Sequence, residues 1–229
     1  MRAPRSGTSF RFSVALLVLA SCAGSPSLPD DVPPEGDDDG NGVAADEAPV
    51  DALPLSSLES EACQPDVAQH EWQYRAHVPR DTAVEYTTNP PSWGVHYATW
   101  VEYGSHERPV DRREYVHNLE HGAVVLLYKC DSAEACPSVA EALRRIAETV
   151  PPEPFCESWG GGVRARVVVS PDPHLDTPIA AAAWGHTYRS ECFDEASLRA
   201  FLQARIGQGP EANCADGAGG TAMDPVATP

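Results

Sequence analysis

Two imidazoles four residues apart, with a carboxylate beside the second, stand at His117-Asn118-Leu119-Glu120-His121. If the stretch forms one helical turn, both rings lie on one face within reach of a single ion. Imidazole nitrogen suits zinc, copper, nickel or iron, and the carboxylate can serve as ligand, orienting partner or base. His96, between Gly94 and Tyr97 in an aromatic stretch, can supply a third nitrogen; His106 after Gly104 and His186 after Trp184-Gly185 are weaker candidates. The expected metal set is therefore His96, His117, His121 and Glu120, taking zinc or copper. The plain alternative is that these rings only stiffen loops by bonding backbone carbonyls. The string also fits His-x-x-Glu-His, the inverted zinc-peptidase pattern. That pattern needs a long helix, whereas Gly122 interrupts the turn at once and the strand-like Val124-Val125-Leu126-Leu127 follows.

Three functions compete for these residues. The first is metal binding without catalysis. The second is a hydrolase in which a metal activates water and Glu120, the only catalytic candidate, is the base. The third is a binding module whose ring-rich loop, with Trp93, Tyr97, Trp100 and Tyr103, holds a peptide or glycan, against the simpler expectation that those rings pack in the core. No nucleophile elbow, phosphate loop or dinucleotide fingerprint is present.

The elements that must position the site are only partly periodic. Residues 65–110 read as irregular loops packed by rings, with short edge strands. Gly122–Tyr128 is a continuous apolar, β-branched run of strand length. Pro137 opens a helix in which Val139, Leu143, Ile146 and Val150 recur at helical spacing, and Pro151-Pro152 stops it. Arg164–Ser170 and Pro178–Trp184 are further strand candidates, the latter weakened by its alanines. Asp194 caps a last helix with Leu198, Phe201, Leu202 and Ile206 on one face. This order predicts one small α+β domain with a mainly antiparallel sheet, helices on one side, many loops and disulfide staples.

Charge and composition bound the partners. With 34 Asp and Glu against 16 Lys and Arg, the chain carries −18, which argues against nucleic acid. Arg2, Arg5 and Arg11 precede the short apolar run Ser13–Ala20, and Leu19-Ala20-Ser21-Cys22 follows. This order resembles the bacterial lipobox, which implies cleavage before Cys22 and a lipid on its sulfur. The expected organisation is a signal peptide over 1–21, an acidic disordered tether over 22–61, a globular domain over 62–214 and a loose tail over 215–229. The tether holds 11 acids and no base, so its charges repel and its composition cannot offset chain entropy. The protein is expected in the bacterial cell envelope, lipid-anchored on the periplasmic or outer face of a membrane, with that membrane as its one identifiable partner.

The remaining cysteines, Cys63, Cys130, Cys136, Cys156, Cys192 and Cys214, are even in number, as expected of disulfides in an exported chain. Cys130 and Cys136 can close a small loop, and Cys63 and Cys214 can staple the domain ends. Their spacing does not decide the pairing. No Cys-x-x-Cys occurs, so neither a thioredoxin motif nor a zinc ribbon is supported.

Several segments carry a family likeness: Pro90-Pro91-Ser92-Trp93-Gly94-Val95-His96-Tyr97, Trp100, Gly104, Val116–Val125, Ala183-Trp184-Gly185 and Phe193-Asp194. Over about residues 65–205 they resemble the bacterial family known as domain of unknown function 3105. Its usual motifs are Pro-x-Ser-Gly-x-His-Tyr and Val-His-Asn-Leu-Glu-His-Gly-Gly-Val. This chain departs from them by inserting Trp93 and by Val95 and Ala123. The resemblance implies a domain that often follows a signal or membrane anchor, and it points to His96, His117, Glu120 and His121 as the site without implying an activity.

Overall fold

A computed structural model describes residues 50–60 and 63–218. Along the chain run α1 (Leu55–Leu58), β1 (Asp66–Gln69), β2 (Ala76–Val78), β3 (Val95–Tyr97), β4 (Gly104–Ser105), α2 (Arg112–Glu120), β5 (Val124–Tyr128), α3 (Pro137–Glu148), α4 (Pro154–Trp159), β6 (Val167–Pro171), β7 (Ile179–Ala183), β8 (His186–Ser190) and α5 (Glu195–Arg205). Six strands form one sheet in the order β1-β8-β7-β5-β6-β4, while β2 and β3 pair in parallel by themselves. In the large sheet the β1–β8, β8–β7 and β7–β5 pairings are antiparallel, and β5–β6 and β6–β4 are parallel. The α+β, mainly antiparallel expectation therefore holds.

Burial on both faces of the sheet explains why β5 reads as an uninterrupted apolar run. Val124, Leu126 and Tyr128 point into one core, where Val139, Leu143 and Ile146 of α3 and Leu198, Phe201 and Leu202 of α5 meet them. Val125 and Leu127 point the other way, into a second core with Tyr115, Val116 and Leu119 of α2. The alanines of β7 split likewise, Ala181 and Ala183 to the first core and Ala180 and Ala182 to the second. Two covered faces make this weak strand former acceptable, because neighbours rather than propensity hold it. Helices confined to one side, as expected from sequence, are thus corrected: α2 covers the face opposite α3 and α5.

Three disulfides staple the domain: Cys63–Cys192, Cys130–Cys136 and Cys156–Cys214, with Cα separations of 5.7, 6.4 and 5.3 Å. The small loop is closed as expected. Cys63 and Cys214 are not joined to each other; Cys63 is tied to the residues after β8 and Cys214 to α4.

Ordered packing extends past both expected domain edges. Ala52 N donates to Ala135 O at 2.7 Å, Leu55 N to Ser138 Oγ at 2.7 Å, and Leu58 is buried in the first core. At the other end Trp100 Nε1 donates to Ala215 O at 3.1 Å and Tyr103 N to Asp216 Oδ1 at 2.9 Å. Residues 51–58 therefore do not belong to a tether, nor 215–216 to a loose tail. The signal segment, Cys22 and most of the acidic stretch lie outside the described residues. Among the described residues no helix is long and apolar enough to cross a membrane.

Candidate metal centre

The centre is built where α2 meets the β2–β3 pair. Asp111 caps α2, its carboxylate accepting from Arg113 N at 2.8 Å, which satisfies an otherwise orphaned donor of the first turn. The nine helical residues and the C-cap His121 follow before Gly122, at φ +90°, reverses the chain into β5. Every residue from Glu114 to Glu120 is buried, because the sheet takes Tyr115, Val116 and Leu119 while the ring-rich loop covers the other side. Asn118 fixes that loop: its Oδ1 accepts from Val101 N at 3.1 Å and its Nδ2 donates to Val101 O at 2.9 Å.

On the covered side, His117 and Glu120 meet His77 and His96. The four side chains offer one ligand atom each within 4.8 Å of one another. His77 and His96 are cross-strand partners in β2 and β3, and the ring centroids of His77, His96 and His117 are 4.7 to 5.1 Å apart. His96, His117 and Glu120 are buried, while the His77 side chain is 51% exposed and forms the mouth.

Hydrogen bonds fix how the rings face. His96 Nδ1 donates to Gly94 O at 2.8 Å and His117 Nδ1 donates to Tyr97 O at 2.7 Å. A carbonyl can only accept, so each Nδ1 holds a hydrogen and each Nε2 is turned inward. His96 Nε2 lies 3.0 Å from Glu120 Oε2. The other carboxylate oxygen, Oε1, accepts from Arg75 Nη1 at 2.8 Å. His121 stands beside this group: its Nε2 is 3.1 Å from His117 Nε2 and accepts from Asn213 Nδ2 at 3.2 Å, while its buried Nδ1 has no partner.

The electrostatics suit an ion. Burial drives the His117 imidazole down to about 4; the hydrogen bond to Tyr97 O acts upward, and the neighbouring His96 and His77 act downward. Burial and then the neighbouring His117 bring His121 to about 3. For Glu120 burial acts upward, but hydrogen bonds from His96 and Arg75 together prevail and bring the carboxyl down to about 2. Near neutral pH His117 and His121 are therefore uncharged and Glu120 is ionised, the states in which these groups coordinate metals.

Residues 77–216 match a family model described as "Protein of unknown function (DUF3105)", which covers well over half of the chain. The chain belongs to this family. No curated protein and no solved structure matches it. The DUF3105 match begins at His77 itself and encloses His96, His117, Glu120 and His121, starting and ending somewhat later than the likeness over 65–205.

Of the site residues expected from sequence, His96, His117 and Glu120 come together. His121 borders them but lies outside the group of four, and His77 takes the fourth place. His77 was missed because its only signal is the three-residue stretch Ala76-His77-Val78 before Pro79. His106 and His186 bond the loop carbonyls of Glu102 and Trp184. The four rings of the aromatic loop do not form an open platform: Tyr97 is buried and Trp93, Trp100 and Tyr103 are half-buried. Trp100 instead packs against His117 and His121, at centroid distances of 4.9 and 4.7 Å.

Proposed function

We propose that this DUF3105 protein is an exported lipoprotein, anchored through Cys22, whose domain holds one zinc or copper ion through His77, His96, His117 and Glu120 without catalysis. The observation that carries the reading is the fixed orientation of His96 and His117. Both spend their Nδ1 hydrogen on a backbone carbonyl, the usual support of a metal-bound imidazole, so both inward nitrogens can give a lone pair to an ion, which at His96 takes the place of the hydrogen shared with Glu120 Oε2. Such a collection of acceptors needs a proton or a cation at its centre. With Oε1 bonded to Arg75 and Oε2 among the ligand atoms, Glu120 has no free oxygen left to serve as a general base, which favours binding over hydrolysis. The lipobox-like Leu19-Ala20-Ser21-Cys22 and three disulfides agree with an oxidising envelope compartment.

Elemental analysis of the full chain, purified in detergent without a histidine tag, tests the metal. About one zinc or copper ion per chain is expected; no metal, with no thermal shift on adding either ion, overturns the reading. Mass spectrometry of the amino terminus tests the anchor, which fails if Cys22 carries no lipid.

A further inference from the structure

Two ligand atoms at the edge of the centre are already occupied. Glu120 Oε1 accepts from Arg75 Nη1, and that same nitrogen reaches Glu211 Oε1, each at 2.8 Å. Glu211 is in turn tied down, its backbone N donating to Glu120 O at 3.0 Å. His121 Nε2 is covered by Asn213 Nδ2, whose amide orientation is set because Oδ1 accepts from Ala215 N at 2.8 Å. What remains directed inward is one carboxylate oxygen and the three imidazoles of His77, His96 and His117.

We propose that Arg75 and Asn213 are positioning residues: by withholding Glu120 Oε1 and His121 Nε2 they hold the centre at four ligands, and its ion is zinc(II). Three nitrogens and one oxygen suit tetrahedral zinc, whereas copper(II) favours tetragonal sites and manganese(II) favours six oxygen-rich ligands. Copper(I) favours soft sulfur, and among the described residues the cysteines are all in disulfides and none is among the four ligand groups. Geometry has to supply this choice, because intrinsic affinity rises from manganese to copper regardless of site.

This inference rests on the metal-binding reading, and cobalt(II) separates the two. Cobalt(II) added to the full chain is followed by visible absorption, since tetrahedral cobalt(II) absorbs far more strongly than five- or six-coordinate cobalt(II). The wild type is expected to give the strong band. Arg75→Met and Asn213→Ala are expected to weaken it severalfold and to lower the zinc-over-manganese preference by about tenfold, the scale of a lost supporting contact. Arg75→Lys, which can still hold one carboxylate oxygen, is expected to keep the band. A weak band in the wild type, or full intensity in both Arg75→Met and Asn213→Ala, overturns the inference. Should those variants unfold, X-ray absorption of the zinc-loaded wild type decides: four first-shell ligands support it and five or six overturn it. Failure of the wild type to take up either ion rejects the metal centre itself.

Discussion

His77 and His96 lie directly opposite one another in the register of β2 and β3. One is half-exposed and the other fully buried. Replacing them should therefore have unequal effects. Removing a buried ligand leaves a hole that the packed walls close poorly, while water can replace His77 at the mouth. We expect His117→Ala or His96→Ala to lower zinc affinity by more than about 100-fold, beyond what a lost supporting contact costs. His77→Ala should lower it less. Competition with a coloured chelator measures all three.

Acidification should destabilise the metal-free domain. His117 and His121 are held neutral with values near 4 and 3, below their ordinary value, so between about pH 6.5 and 4 the unfolded chain binds protons that the folded chain refuses. Stability then falls as pH falls through this window. The Glu120 carboxyl, held near 2, acts in the same direction below about pH 4.5. A combined loss of at least about 2 kcal/mol is expected. Thermal melts of chelator-treated protein at pH 7 and pH 5 check the sign.

Arg166 and Glu153 form a buried ion pair beneath the end of α2, with Arg166 Nη1 also donating to His121 O. Either Arg166→Met or Glu153→Gln leaves a buried charge without its counter-charge. Each should cost about 3–5 kcal/mol, read as a lowered denaturant midpoint. Because the guanidinium also braces the backbone of His121, Arg166→Met should weaken zinc binding as well.

Gly209 lies against the backbone of Glu120 and Gly122, where an added Cβ would collide with main-chain atoms. Gly209→Ala must therefore displace the segment that brings Glu211 and Asn213 to the centre. A fall in melting temperature with a change in the cobalt(II) spectrum is expected; an unchanged spectrum would show that the centre does not depend on this segment.

Much of the frame was legible in the chain itself. The apolar run of β5 and the helical spacing of α3 and α5 depend on one or two buried faces, and periodicity reports such faces well. The residues of α2 carry no such stripe, because Tyr115, Val116 and Leu119 face the sheet while His117, Asn118 and Glu120 are buried under the loop. A helix buried on all sides with polar residues inward reads as a turn. The strand β8 is hidden by its polar composition, with Tyr188 as its one apolar side chain. At the centre itself, spacing on one helix pointed to His117 and Glu120. His77 arrives from a very short strand distant in sequence and Arg75 from the residue just before that strand, and only the fold discloses that meeting.

The separate pairing of β2 and β3 has a consequence for exchange. His77 belongs to a short strand, directly preceded by Arg75, that pairs with one other strand, whereas His117 and Glu120 stand on a helix seated against the large sheet. An ion held by both, as proposed, would bridge the small two-stranded pair to the helix on the large sheet. Loss of such an ion is expected to loosen the two-stranded pair before the six-stranded body, so local opening at the centre need not unfold the domain.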